Sequence, residues 1–221
     1  ICSMKVLGLN ASPRGKESKT LQLVRAVLEG AGSAGAETEL INVYDLHIEY
    51  CIACGACYAT GDCTLFDDFP ELFEKMMNAD GIVLGSPNYI DSVTAALKAV
   101  FDRMADAIHC QMFTGKYGCS VCTAGGSNQD EIVKYMNHVL TSLGGTAVGG
   151  IGVAVGRDPG AIEKAKVSAF ELGKKLAGSI RGEYTYPEQE AIHQQRRQYF
   201  CDLVRYNKAQ WVHEYDWYVQ M

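Results

Sequence analysis

Lys5-Val-Leu-Gly-Leu-Asn10-Ala-Ser-Pro-Arg-Gly-Lys-Glu-Ser-Lys-Thr20 is a short apolar run that opens into a polar loop and then into a helical pattern. In the segment that follows, Leu21, Val24 and Leu28 share one face at helical spacing. A strand feeding a helix through one loop is half of a βα unit, and the pattern recurs outward from it. Thr38–Val43 alternates apolar and polar residues as a strand does. Phe69, Leu72, Phe73 and Met76 repeat at helical spacing, with Asp67 and Asp68 at the start, where carboxylates suit the positive end of the helix dipole. Gly81–Gly85 reads as a buried strand ending at Ser86-Pro87. Val93, Leu97, Val100 and Met104 mark a third helix with Ser92 as its cap. Lys116–Thr123 is a fourth strand, and Asp130–Leu143 a fourth helix stopped by Gly144-Gly145. Thr146–Val155 is a glycine-rich fifth strand, and Ile162, Ala165, Ala169, Leu172 and Leu176 give a fifth helix. Strands alternating with helices in this way imply an α/β fold: a doubly wound parallel sheet covered on both faces.

Composition bounds the function. The chain has 221 residues, 48% of them hydrophobic, and 20 basic against 26 acidic residues give a net charge of -6. Such a chain lacks the basic footprint of a nucleic-acid binder. It has no apolar run of about 20 residues, so no membrane helix is expected. With no leader pattern visible, the expected compartment is the cytoplasm. Composition shifts after Gly182. Residues 1–182 are read as one domain, and 183–221 as an extension rich in aromatics, among them Tyr184, Tyr199, Phe200, Tyr206, Trp211, Tyr215 and Trp217. A helix is expected from about Glu188 to Tyr206, followed by an extended tail. Left in water, so much aromatic surface would be a liability. The extension is therefore expected to pack on its own domain or across a subunit boundary, as an oligomerisation element.

In doubly wound sheets ligands sit at the carboxyl ends of the strands. Three loops there have unusual content. In the first, Ser12, Ser18 and Thr20, with free N–H groups at a helix start and Arg14, Lys16 or Lys19 nearby, form a phosphate cradle or an ordinary capped loop. It matches neither a Walker A sequence nor GxGxxG. In the second, Ser86-Pro87-Asn88-Tyr89-Ile90, proline and asparagine set a turn that carries a tyrosine able to lie on a flat ring. In the third, Ala124, Gly125 and Gly126 permit close backbone approach to a ligand. No Ser-His-Asp set and no HExxH motif is present, and no catalytic acid or base is expected.

Taken in order, these loops resemble the flavodoxin-like reductases of the NADPH-dependent FMN reductase family. Lys98, Asp102 and Arg103 complete that pattern as Lys-x-x-x-Asp-Arg. The resemblance covers about residues 4–180 and implies a five-stranded parallel sheet of order 2-1-3-4-5 with bound FMN. It assigns the phosphate to Ser12, Arg14, Ser18, Lys19 and Thr20. It assigns the isoalloxazine to Pro87, Asn88, Tyr89 and Ile90, and to Ala124, Gly125 and Gly126. Lys98, Asp102 and Arg103 are read as charge pairs along a helix.

Nine cysteines remain to be placed. Cys51-Ile-Ala-Cys54-Gly-Ala-Cys57 has the two-residue spacing that wraps one face of a cubane, and Cys63 follows after a five-residue gap. The run resembles that of bacterial ferredoxins, but its last gap is longer and Thr64 stands where proline would follow. Zinc, which usually takes cysteine pairs set further apart, and free or partly oxidised thiols are the alternatives. Within a flavodoxin-like chain the spacing resembles the iron-sulfur flavoproteins. That likeness implies a 4Fe-4S cluster on Cys51, Cys54, Cys57 and Cys63, and a homodimer or homotetramer in which the flavin of one subunit meets the cluster of another. The function expected is an FMN-dependent oxidoreductase that passes electrons between cluster, FMN and a small or protein acceptor, with NAD(P)H or a ferredoxin as donor. A cluster-free NAD(P)H-dependent FMN or quinone reductase, a non-catalytic electron carrier and a thiol redox sensor are the alternatives. Cys119 and Cys122 fall in a buried strand with side chains on opposite faces, which is core packing. Cys2, Cys110 and Cys201 have no visible partner, and no histidine neighbours a large enough set of metal-type residues in sequence.

Overall fold

The computed structural model describes residues 3–221, so Cys2 lies outside the described residues. The parallel sheet is built from β1 (Lys5–Asn10), β2 (Glu37–Asn42), β3 (Gly81–Pro87), β4 (Tyr117–Ala124) and β5 (Thr146–Ala154), in the order β2-β1-β3-β4-β5. Its inner strands are nearly continuous apolar runs, because both faces are covered. One face packs on α1 (Lys19–Ser33) and α7 (Ala161–Ile180). The other packs on α3 (Phe69–Asn78), α4 (Ala95–Asp102) and α6 (Gln129–Ser142). The shorter α2 (Ala56–Thr60) and α5 (Ala105–His109) lie in the connections. Cys119 belongs to the apolar cluster of one face and Cys122 to that of the other, as strand alternation requires.

Helices α1 and α7 cross with their backbones almost touching. A Cβ on Gly30 would stand 1.9 Å from the Phe170 carbonyl oxygen, and one on Gly173 would stand 1.9 Å from that of Val27. Backbone cannot yield as a side chain does. Gly30→Ala is therefore expected to lower stability by about 1–3 kcal/mol or more, read from the denaturant midpoint.

Three expectations are corrected. Ser92 does not cap α4: Thr94 holds the N-cap position, and its N–H donates to Ser86 Oγ at 3.0 Å while its hydroxyl donates to the Ala11 carbonyl at 2.8 Å. Ser92 instead closes a turn with Tyr89, which leaves Ile90 and Asp91 at φ of 49° and 56°. A β-branched residue seldom takes that conformation, and Ile90 is fully exposed there. Arg103 is not a partner along its own helix: Lys98 pairs with Asp102, whereas Arg103 reaches across to Asp67. Finally, the tail is not extended. After α8 (Pro187–Tyr206) the chain forms a last helix, α9 (Val212–Gln220), packed against α2. Its aromatic and β-branched content favours a strand locally, and contacts with distant α2 and α5 override it.

The extension is tied to the edge of the sheet by a side-chain amide. The Gln189 side chain accepts from the Ala147 N–H at 2.9 Å and donates to the Ala147 carbonyl at 2.8 Å, on the open side of edge strand β5.

Candidate flavin and cysteine-loop sites

The three loops after β1, β3 and β4 converge. Ser12, Arg14, Lys19, Thr20, Pro87, Asn88, Tyr89, Ala124 and Gly125 line one cavity of about 230 Å³, together with Thr123 and Val155. Thr123 and Val155 carried no recognisable motif; only their positions at strand ends point to them. Ser18 lies behind the wall, buried as the N-cap of α1 and accepting from the Leu21 N–H at 3.0 Å. Ile90 projects into solvent, and Gly126 is not on the lining.

Hydrogen bonds hold the loops together. The Thr20 and Thr123 hydroxyls are 2.6 Å apart, Asn88 N–H donates to the Thr123 carbonyl at 2.8 Å, and Asn88 Nδ2 donates to the Ser127 carbonyl at 2.9 Å. The residues fit a flavin mononucleotide. The start of α1 offers helix-dipole N–H groups, hydroxyls and the cations of Arg14 and Lys19 to a phosphate. A Cβ added to Gly125 would meet no protein atom, so that space is open to a ligand. Asn88 Oδ1 is a buried acceptor with no donor among the described residues. A ring imide N–H is a donor of the kind it lacks.

The cysteine loop lies between β2 and α3. Cys51, Cys54, Cys57 and Cys63 line one pocket of about 100 Å³ with Ile52, Tyr58, Leu65, Asp102 and Arg103. Left-handed backbone at Ala53, Gly55 and Gly61, with φ of 53°, 73° and 82°, folds the loop around it. All four thiols are free. One tetrahedral ion needs its sulfurs about 3.8 Å apart. Among the described residues no three of these sulfurs lie within 4.8 Å of one another. The Cys54 thiol is held below its usual pKa by the Ala56 N–H and then by Thr64, whereas burial, with Asp106 and Glu214 nearby, pushes Cys57 up to about 11.

Arg103 forms the inner wall. Its side chain and that of Asp67 are buried, at 1% and 0% exposure, in a direct ion pair. Asp67 also accepts from the N–H groups of Glu49 at 2.7 Å and Phe69 at 3.0 Å. Burial works against its charge, but Arg103 and these donors win and hold its pKa below the usual range. Burial opposes the guanidinium charge as well, and Asp67 and the nearby Cys63 thiol outweigh it. Arg103 Nε and Nη2 have no acceptor among the described residues. They are donors at a pocket lined by the four cysteines.

Known proteins agree with this fold. The family model for NADPH-dependent FMN reductase matches residues 4–160. An iron-sulfur flavoprotein of Archaeoglobus fulgidus is 34% identical over 197 residues, covering 88% of this chain and 89% of that one. Another from Methanocaldococcus jannaschii is 35% identical over 191 residues, covering 80% and 98%. The solved NAD(P)H:quinone oxidoreductase from Methanothermobacter marburgensis superposes with a TM-score of 0.62 at 22% identity, over 79% of this chain and all of that one. The chain belongs to the NADPH-dependent FMN reductase family, with iron-sulfur flavoproteins as its full-length relatives. It is an FMN-dependent oxidoreductase of flavodoxin-like fold. No helix is long and apolar enough to cross a membrane among the described residues.

Proposed function

We propose that this oxidoreductase passes electrons between FMN, a 4Fe-4S cluster and a small or protein acceptor, with NAD(P)H or a reduced ferredoxin as donor, in the cytoplasm. The observation that carries the cluster is the convergence of Cys51, Cys54, Cys57 and Cys63 on one small pocket. When bound, the flavin exchanges one or two electrons and the cluster one, so a protein holding both converts between the two kinds of traffic. The chain's own part is positional. Arg14, Lys19 and the start of α1 anchor the phosphate, Asn88 and Tyr89 orient the ring, and Arg103 supplies a fixed positive charge beside the sulfurs. Protein purified without oxygen is expected to carry about four iron and four sulfide per chain. Their absence under those conditions would leave a cluster-free reductase as the reading.

The two pockets sit at opposite ends of α4. Thr94 at its start is bonded to Ser86 near the end of β3, next to Pro87, and Asp102 at its end lines the cysteine pocket. Its 8 residues set them about 12 Å apart along the axis. That spacing supports an assembly, a homodimer or homotetramer, in which the cysteine loop of one subunit meets the flavin cavity of another. Exposed Tyr50, Ile52 and Phe66 on the loop and Ile90 by the cavity suit such a contact. The extension 183–221 is proposed to contribute through Ile192, Tyr199 and Tyr206, which α8 leaves exposed. Combining Ile192→Ser, Tyr199→Ser and Tyr206→Ser leaves Gln189 in place and is expected to lower the mass in sedimentation equilibrium. An unchanged mass removes the extension from the interface.

A further inference from the structure

Behind the cysteine pocket the chain buries a second set of metal-type donors, none of which belongs to the loop. Asp106 lies on α5 and Cys110 one turn later, while His213 and Glu214 lie on α9. One ligand atom each from Asp106, Cys110 and His213 falls within 4.8 Å of the other two. His213 Nε2 is 3.6 Å from Asp106 Oδ2, and Cys110 Sγ is 3.8 Å from Asp106 Oδ1. Asp106, Cys110 and Glu214 are 8%, 2% and 0% exposed. Glu214 is a close neighbour of Asp106. It also meets His109 Nδ1 at 3.0 Å, and the His109 carbonyl accepts from Tyr218 at 2.6 Å.

Two carboxyl groups in contact and out of water repel each other, so the site needs a positive charge or a shared proton. His213 Nε2 is inaccessible to water, yet it has no hydrogen-bond partner among the described residues. It faces the carboxylate and thiol across a gap too long for a hydrogen bond. We propose that Asp106, Cys110 and His213 bind one divalent transition-metal ion of the zinc or ferrous class. Thiolate, imidazole and carboxylate together form the donor set such ions take, and one that magnesium and calcium do not. Metal–ligand bonds of about 2.0–2.3 Å set neighbouring ligand atoms about 3.3–3.8 Å apart. His213 Nε2 and Cys110 Sγ stand 3.6 and 3.8 Å from the two different oxygens of Asp106, and one ligand atom from each of the three residues falls within 4.8 Å of the others, close to that range. On binding, the Cys110 S–H bond breaks, its proton leaves to solvent and an S–metal bond forms. Glu214, bonded to His109 and beside Asp106, orients the ligands from outside. The ion clamps α9 onto α5 beside α2, where the Tyr58 ring lies 4.9 Å from His109 and 5.0 Å from Trp211. Metal occupancy is then a condition for keeping the extension docked behind the cysteine loop.

The test uses the full chain carrying Cys51→Ser, Cys54→Ser, Cys57→Ser and Cys63→Ser, titrated with cobalt(II), with flavin absorbance reporting the fold. One equivalent is expected to bind with a thiolate-to-cobalt charge-transfer band, and zinc is expected to displace it. Adding Cys110→Ser should abolish the band, and adding His213→Gln should weaken cobalt binding about tenfold or more. No band in a folded variant, or a band that survives Cys110→Ser, overturns the site and leaves a shared proton between Asp106 and Glu214. If the four-serine variant does not fold, metal content is compared between the unaltered chain and Cys110→Ser, both purified without oxygen. Loss of one metal per chain with cluster iron unchanged supports the site, and equal contents overturn it. Loop iron and sulfide are read separately, so failure of this site and failure of the cluster are distinguishable.

Discussion

Cys54→Ala is expected to yield a protein that is still yellow but has lost its iron. Cys54 is the middle member of the two-residue repeat, and its sulfur lines the pocket against Thr64 at 3.6 Å. Of the loop thiols with a resolved shift, it is the one held low, so it is the readier thiolate and the readier ligand. Removing it opens the pocket at its centre. Iron is expected to fall from about four per chain to below one, in parallel with sulfide. The flavin cavity is built by other loops, after β1, β3 and β4, and should keep FMN at the wild-type ratio. The check is iron, sulfide and flavin analysis on one anaerobic preparation. Full iron in the variant would remove Cys54 from the ligand set.

The second large effect lies at Arg103. Arg103→Ala leaves the Asp67 carboxylate buried without its cation, and breaking a buried pair from one side costs about 3–5 kcal/mol. The loss should spread locally, because Asp67 also holds the Glu49 and Phe69 N–H groups that frame the cysteine loop. The guanidinium also packs over the Phe69 ring at 4.4 Å. The expected result is a lower denaturant midpoint with unchanged slope, together with reduced iron retention. Arg103→Lys keeps the charge but not the planar fork, and should recover only part of the stability. A midpoint equal to wild type in the alanine variant would mean that the pair contributes nothing net.

Much of this was legible in the chain, for identifiable reasons. The parallel α/β class follows from βα alternation, because short strand patterns alternate with segments that have one apolar helical face, whereas the order 2-1-3-4-5 came from the resemblance of the loops. The cysteine loop is a local motif, so its spacing alone brings the four thiols near each other. Partners distant in sequence were not legible. Arg103 looks like one end of a helical charge run until the fold brings Asp67 to it. Asp106, Cys110 and His213 are about a hundred positions apart at the extremes, and no spacing rule connects α5 to α9. The N-cap position of Thr94 was hidden for the same reason: its partners, Ser86 near the end of β3 and Ala11 just after β1, lie on two other segments. The helical state of Val212–Gln220 depends on packing against α2, which a window over those residues does not contain.

The double hydrogen bond from Gln189 to Ala147 has a consequence for how the chain is made. A side-chain amide there stands in for a neighbouring strand and occupies the backbone groups that another molecule would pair with. Synthesis runs from the N-terminus, so the whole sheet can assemble while its β5 border is still bare. Closure waits for residue 189 to emerge. Messages cut short before that point should therefore give a product that folds and then self-associates, whereas those ending just beyond α8 should stay dispersed.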